Sequence, residues 1–285
     1  MTAGTDPAAY RLGLPAWAYA GWRGRFFDNQ PSALASYARV FSAVEGNTSF
    51  YRIPDADSVS RWREALTGRD FRLCFKLPRE VTHESRPDDR ALGRFLAAVE
   101  GLQEWLGPLL VQLPARVGPA SIDAIASLVD APPTGWPKVL EVRHPAFFDQ
   151  PQRLESVLER SGAGRVMLDT RPLYRGDLSH PEVRAALHEK PDLPVLGQVY
   201  NGLMFVRLVL HPDLDSNTEY LQFWARRAAD CLRRGDELYM MIHCPNNLHC
   251  PVLAERFHRL LRAEDPDLDI GSLPGWPIPQ QARLI

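Results

Sequence analysis

Charge stands where an apolar strand runs out in Lys138 to Phe148, KVLEVRHPAFF. Val139, Leu140 and Val142 read as buried strand, while Glu141 and Arg143, two residues apart, share one face, and His144 with Pro145 ends the run. Opposite charges at the end of an apolar strand are costly to bury unless they pair or meet a ligand, so this strand end is a candidate site. The last inward-facing positions of the other apolar segments add Trp17, Glu45 with Asn47, Lys76, Gln112, Asp169 with Arg171, Arg207 and His243. Glu45 and Glu141 suit general acid and base roles where burial separates their pKa values. Lys76 suits Schiff-base chemistry where nearby arginines and burial depress its pKa. Arg143 and Arg207 offer forked donors to a carboxylate or phosphate. Trp17, Tyr19, Trp22, Phe50 and Tyr51 suit an apolar platform at the rim, with plain loop packing an equal reading for Trp22 and Phe50. Taken singly, each charged residue fits an internal ion-pair network equally well, and Gln112 and Asp169 are the readiest to be structural. As a set of mixed charges around one opening they favour a binding site.

The elements that must position this set alternate in type. Apolar segments at 11–17, 43–47, 71–78, 108–114, 138–143, 164–170, 204–210 and 237–243 read as strands. Helical spacing predicts helices over 32–41, 56–66, 121–129, 181–187, 216–234 and 248–262, and one from Asp88 that stops at Gly107. The helix PQRLESVLERSG has proline at its first turn and glycine past its end. Residues 171–203 are the least regular part, and the proline-rich tail from Ala263 is expected to wrap the surface. Eight strands alternating with helices over about 250 residues is the count and size of a (β/α)8 barrel, with the site at the C-terminal strand ends. The expectation is one domain over 1–285 with its core at about 11–262; a doubly wound open sheet is the alternative, weakened by the lack of a glycine-rich nucleotide loop.

A chain of 285 residues, 45% hydrophobic and 24% charged, can bury a sizeable core. Its formal net charge of -2 gives no electrostatic case for nucleic acid or an anionic membrane. No apolar run approaches the roughly 18 residues of a membrane span, and MTAGTDPAAYR has no signal-peptide pattern, so the cytoplasm is expected. Four cysteines, Cys74, Cys231, Cys244 and Cys250, read as reduced thiols. The segment HCPNNLHC, 243–250, fits no common zinc ribbon or finger: His243 is assigned to the ring, and Cys244, His249 and Cys250 to packing or the helix start. No metal and no cofactor are expected; nucleophile elbow, P-loop and dinucleotide fingerprint are all lacking.

Several stretches together resemble the YecE-like family, a domain of unknown function: WAYAGWRGRFF, LASYARVFSAVEGNTSFYRIP, FRLCFKLPREVTH, LGPLLVQLP, LEVRHPAFF, MFVRL and MIHCPNN. The resemblance runs from about Leu12 to Leu261 and implies a (β/α)8 barrel with no established activity. Its motif positions fall here on Trp17, Tyr19, Trp22, Glu45, Asn47, Phe50, Tyr51, Lys76, His83, Gln112, Glu141, Arg143 and His144. Leu14, Pro15 and Ala16 stand where the family tends to carry small hydroxyl and glycine residues, and Phe27 with Asp28 where it carries Tyr and Pro.

The preferred function is a metal-independent hydrolase, lyase or isomerase working by acid/base chemistry on a small polar, anionic or sugar-like substrate. Glu45 and Glu141 would carry protons, and Lys76, Arg143 and Arg207 would stabilise charge. A non-catalytic binding or sensing barrel is the alternative, and a nucleic-acid-processing enzyme the third, disfavoured by the near-neutral charge.

Overall fold

Eight short segments buried on both faces, the pattern expected of parallel strands, pair into one sheet in the computed structural model, which describes residues 9–28, 32–84 and 88–276. They are β1 (Tyr10–Leu14), β2 (Ala43–Gly46), β3 (Arg72–Phe75), β4 (Leu109–Gln112), β5 (Lys138–Glu141), β6 (Gly164–Asp169), β7 (Leu203–Val209) and β8 (Glu237–His243). Their spatial order is β3-β2-β1-β8-β7-β6-β5-β4, and the pairs run parallel. The two ends of this series also meet. Gly107 N donates to Leu73 O at 3.0 Å and Leu77 N to Leu110 O at 3.1 Å, so β3 joins β4 and the sheet is a closed (β/α)8 barrel, not an open one.

Each strand is followed by a helix that packs its apolar face outside the sheet. Helix starts follow from local chemistry: Asp55 accepts from Ser58 N at 2.9 Å ahead of Ala56–Leu66, and Asp88 accepts from Arg90 N and Ala91 N ahead of Asp89–Glu100. Gly162, at φ 65°, ends Gln152–Ser161 in the left-handed region. The expected helix through Gly107 stops instead at Glu100, and Gln103–Trp105 forms a separate 3₁₀ turn that aims Trp105 inward. The first strand ends at Leu14 because Pro15 has no N–H for the ladder. The helix expected over 32–41 forms only at Ala33–Tyr37, and the irregular stretch after β6 holds Arg171–Arg175 as well as the expected Pro181–Leu187. In the tail, Trp276 stacks on Phe26 at 5.9 Å; residues 277–285 lie outside the described part.

Ala43, Cys74, Leu110, Val139, Val166, Phe205, Tyr239 and Met241 fill the barrel interior. Gly13 of β1 completes this layer by having no side chain: a Cβ there would lie 2.6 Å from Ala43 O and 2.8 Å from Met241 Sδ. Among the described residues no helix is long and apolar enough to cross a membrane.

Candidate functional site

Side chains two apart on a strand share a face, so the residue two past each interior side chain projects inward one layer higher. From Ala43, Cys74, Leu110, Val139, Phe205 and Met241 this step leads to Glu45, Lys76, Gln112, Glu141, Arg207 and His243. Six strands therefore place polar groups in one layer at the C-terminal end. The other two do not. β1 offers Pro15, and β6 offers Leu168, which packs with Leu173, Val183 and Val209.

Arg207 organises the layer. Its Nε donates to Glu45 Oε2 at 2.8 Å and Nη2 to Glu45 Oε1 at 2.7 Å, while Nη1 donates to Glu141 Oε2 at 2.5 Å and, at 3.4 Å, to Gln112 Oε1. Glu45 also accepts from Asn47 Nδ2 at 2.9 Å, and its Oε2 lies 3.1 Å from His243 Nε2. Four donors on one carboxylate use its whole accepting capacity. Glu141 takes its second partner from Arg143 Nε at 2.8 Å.

These contacts decide the ionisation of the carboxylates. Burial pushes Glu45 upward, but Arg207 and His243 outweigh it and hold the carboxyl well below its ordinary range. Burial likewise opposes the charge of Glu141, yet Arg207, Arg143 and Lys76 draw it down to about 2. The expectation that burial would split the two carboxyls into an acid and a base does not fit, because one guanidinium keeps both ionised. Burial lowers the pKa of His243 despite the neighbouring Glu45, so a neutral imidazole donates to it from Nε2.

Two amines lie against this neutralised cluster. Lys76 Nζ sits 3.6 Å from the centroid of the Phe50 ring, and burial, then the Arg207 charge, bring its pKa to about 7. The ring face works the other way, favouring the ammonium by about 0.5–2 kcal/mol. Lys190, from the connection between β6 and β7, is drawn to about 8 by the same two causes. Glu45 and Glu141 are formally balanced by Arg207 and Arg143, and among the described residues neither lysine has a carboxylate within ion-pair distance. Both lysines, with Arg143, Arg207, His243 and Gln112, line an open cavity of about 770 Å³.

The β6–β7 connection roofs one side of this cavity. It is pinned by Arg143 Nη1 to Glu189 O at 3.3 Å, Tyr174 Oη to Lys190 O at 2.6 Å and Asn246 Nδ2 to Glu182 Oε2 at 2.8 Å. Asn47 reaches the rim while bonding Pro15 O at 3.1 Å, and Tyr51 stands on the rim 79% exposed.

Four expected site residues lie elsewhere. Trp17 packs edge-on to Trp62 at 5.3 Å and Tyr19 against Trp22 at 5.4 Å, beside a separate hollow of about 340 Å³. His144 accepts from Ala146 N at 3.2 Å and packs on Phe147. Asp169 takes the outward face of β6, where it accepts from Arg171 at 2.7 and 2.9 Å and from Trp224 Nε1 at 2.8 Å. In the HCPNNLHC segment Cys244 and Cys250 are buried free thiols and His249 precedes the helix Cys250–Glu264. Among the described residues no three His, Cys, Asp or Glu side chains converge in a way that would hold a metal ion.

Lys190 is a site residue that strand-end reasoning misses, since it lies on an irregular connection, and Arg79, Glu182 and Glu189 of the same lining are others. A compositional signal does point to Lys190. The chain has thirty-three lysines and arginines, of which three are lysines: Lys76, Lys138 and Lys190. Two of those three line this cavity.

Residues 11–278 match the family model described as "Protein of unknown function DUF72". The chain is 33% identical over 278 residues to the UPF0759 protein YecE of Escherichia coli strain K12, covering 96% of this chain and 98% of that one. The YecE protein of strain O157:H7 matches over the same shares at the same identity. Among solved structures, a DUF72 family protein from Enterococcus faecalis V583 superposes with a TM-score of 0.63 at 17% identity, over 88% of this chain and 97% of that one. One from Thermotoga maritima MSB8 gives 0.61 at 17% identity over 88% and 98%. These two likenesses concern the fold.

Proposed function

The chain belongs to the DUF72 family, whose description assigns no activity, and from the site itself we propose that the barrel mouth is the active site of an enzyme acting by acid/base chemistry on a small anionic substrate. The observation that carries this reading is that two of the chain's three lysines open into one cavity while the buried carboxylates beside them are already bound by arginines. A group that exchanges protons near neutrality must have a pKa near neutrality. Lys76 meets that requirement and Glu45 and Glu141 do not. Lys76 is then the proton carrier, Arg143 and Lys190 hold the anionic group, and Glu45, Glu141 and His243 keep Arg207 in place.

Hydrolase, lyase and isomerase chemistry all suit such a site without a metal. Four free buried thiols are in keeping with a cytoplasmic setting, and the formal net charge of -2 disfavours a nucleic-acid substrate. The test has two steps. Inorganic phosphate and malonate should raise the melting temperature of the native chain where glucose does not, since a ligand that binds only the folded state stabilises it. Small carboxylates and sugar phosphates that bind are then incubated in D₂O and followed by NMR. Solvent deuterium appearing in a ligand, and not with Lys76→Met, supports the enzyme. Ligands that bind and emerge unaltered in every case make the barrel a binding or sensing protein instead.

A further inference from the structure

We propose that Lys76 is an imine-forming lysine, and that its substrates are small aldehydes or ketones carrying a carboxylate or phosphate group. This rests on reading the mouth as an active site for a small anion and specifies how that site engages its substrate.

Lysine and arginine differ in one respect that matters here. Both supply positive charge, but a guanidinium stays protonated, whereas an amine can lose its proton and attack an electrophile. This chain fills thirty of its thirty-three basic positions with arginine, including every cation that pairs with a buried carboxylate in the barrel. Lys76 does not act as an ion-pair partner: among the described residues no carboxylate lies within ion-pair distance of it. One side of its amine is covered by the Phe50 ring at 3.6 Å, and the same side chain lines the open cavity. Burial and cationic neighbours lower an amine's proton affinity and leave its lone pair available. Lys76 is buried with Arg207 and Arg143 as its cationic neighbours, and these act against the preference of the Phe50 ring face for the ammonium.

The anionic group on the substrate follows from the rest of the lining. Arg79, Arg143 and Lys190 line the cavity and offer donors to a carboxylate or phosphate there, while the acidic residues of the same lining, Glu182 and Glu189, belong to the β6–β7 connection. The covalent step balances internally. The Lys76 lone pair adds to the carbonyl carbon, the C=O π pair moves to oxygen, and that oxygen takes a proton from the Lys190 ammonium. The carbinolamine then loses the oxygen as water, with one proton from Lys76 Nζ and the one already received from Lys190, and the remaining Nζ proton returns to the Lys190 amine. The products are the imine, one water and the restored Lys190 ammonium, with no redox partner required. Protonation of the imine by solvent gives an iminium that can accept electrons from the adjacent carbon, which matches the lyase and isomerase classes.

The experiment is reductive trapping of the full chain with glyoxylate, and separately with glycolaldehyde phosphate, in the presence of sodium cyanoborohydride. Intact mass should rise by one probe less one oxygen atom, and peptide mapping should place it on Lys76. With three lysines and the chain's α-amine as the amine targets, the assignment is direct. At neutral pH, labelling should be on the order of tenfold or more faster than that of a free lysine side chain, because a far larger fraction of the amine is unprotonated. Inorganic phosphate should slow it. Lys76→Arg keeps the charge and should lose the label, and Lys76→Met serves where the arginine variant does not fold. Label confined to the α-amine, Lys138 or Lys190 while phosphate still stabilises the protein overturns the imine and leaves the anion site standing. Neither label on Lys76 nor stabilisation by phosphate overturns both.

Discussion

Arg207 on β7 and Glu45 on β2 meet inside the barrel through two parallel hydrogen bonds of 2.8 and 2.7 Å, and the third nitrogen of the same guanidinium binds Glu141 on β5. The pair is fully desolvated, so its members are costly to separate even where the pair as a whole adds little to stability.

Arg207→Met strands two buried carboxylates. It should lower stability by about 3–5 kcal/mol, read as a shift of the urea midpoint at unchanged slope. Adding Glu45→Gln and Glu141→Gln to that variant should restore part of the loss. A single variant as stable as the parent would contradict the buried network.

Acid should dissolve the same network. The folded pKa of Glu141, about 2, lies below its ordinary 4.5. Its contribution is therefore complete above pH 4.5 and is lost as pH falls from there toward 2, amounting to about 3 kcal/mol. Urea titrations between pH 6 and pH 3 should show this decline, and Glu141→Gln should flatten it.

Lys76 should behave in the opposite sense. Its folded pKa of about 7 lies below the ordinary 10.5, so the unfolded chain binds the extra proton. The resulting destabilisation is complete below pH 7 and fades as pH rises toward 10.5. Burial sets most of it, with Arg207 and Arg143 adding to the depression and Glu141 and Glu45 opposing it. Lys76→Met should accordingly raise stability near pH 6, on the order of 2 kcal/mol, and much less near pH 10. A lysine with a purely structural role would show a loss on replacement.

Asp169→Asn probes a carboxylate outside the cavity. Weakening its bonds to Arg171 and Trp224 should cost about 1–3 kcal/mol, while the phosphate-induced rise in melting temperature stays as in the parent. A variant that abolished that rise would bring Asp169 back into the binding site.

The barrel was legible because each strand is a short apolar run and because strand and helix alternate throughout. The inner polar layer was legible for the same reason. Period-two counting carries Val139 to Glu141 and Phe205 to Arg207 without knowledge of any contact. It failed on β6, where a step of one residue separates inward Leu168 from outward Asp169, and on β1, where Pro15 ends the ladder before Trp17. The roles of Glu45 and Glu141 were not legible, since whether a carboxyl is a proton carrier or a permanent anion depends on which cation reaches it. Arg207 approaches Glu45 from a strand 162 residues away in sequence. Lys190 lies on a connection with no periodicity to read, and only the scarcity of lysine marks it.

The barrel wall is not uniform. β7 and β8 pair along seven consecutive residues, whereas β3 and β4 are joined through isolated bridges at Leu73–Leu106 and Lys76–Leu110. Native-state breathing begins where lateral pairing is sparsest, so the amides of Leu77 and Gly107 should exchange with solvent ahead of those in β7. Lys76 stands on one lip of this seam and Gln112 on the other. Small partings of the seam therefore change the spacing across the cavity directly, and they give the reactive amine a freedom of position that Arg207, tied on three nitrogens, does not have.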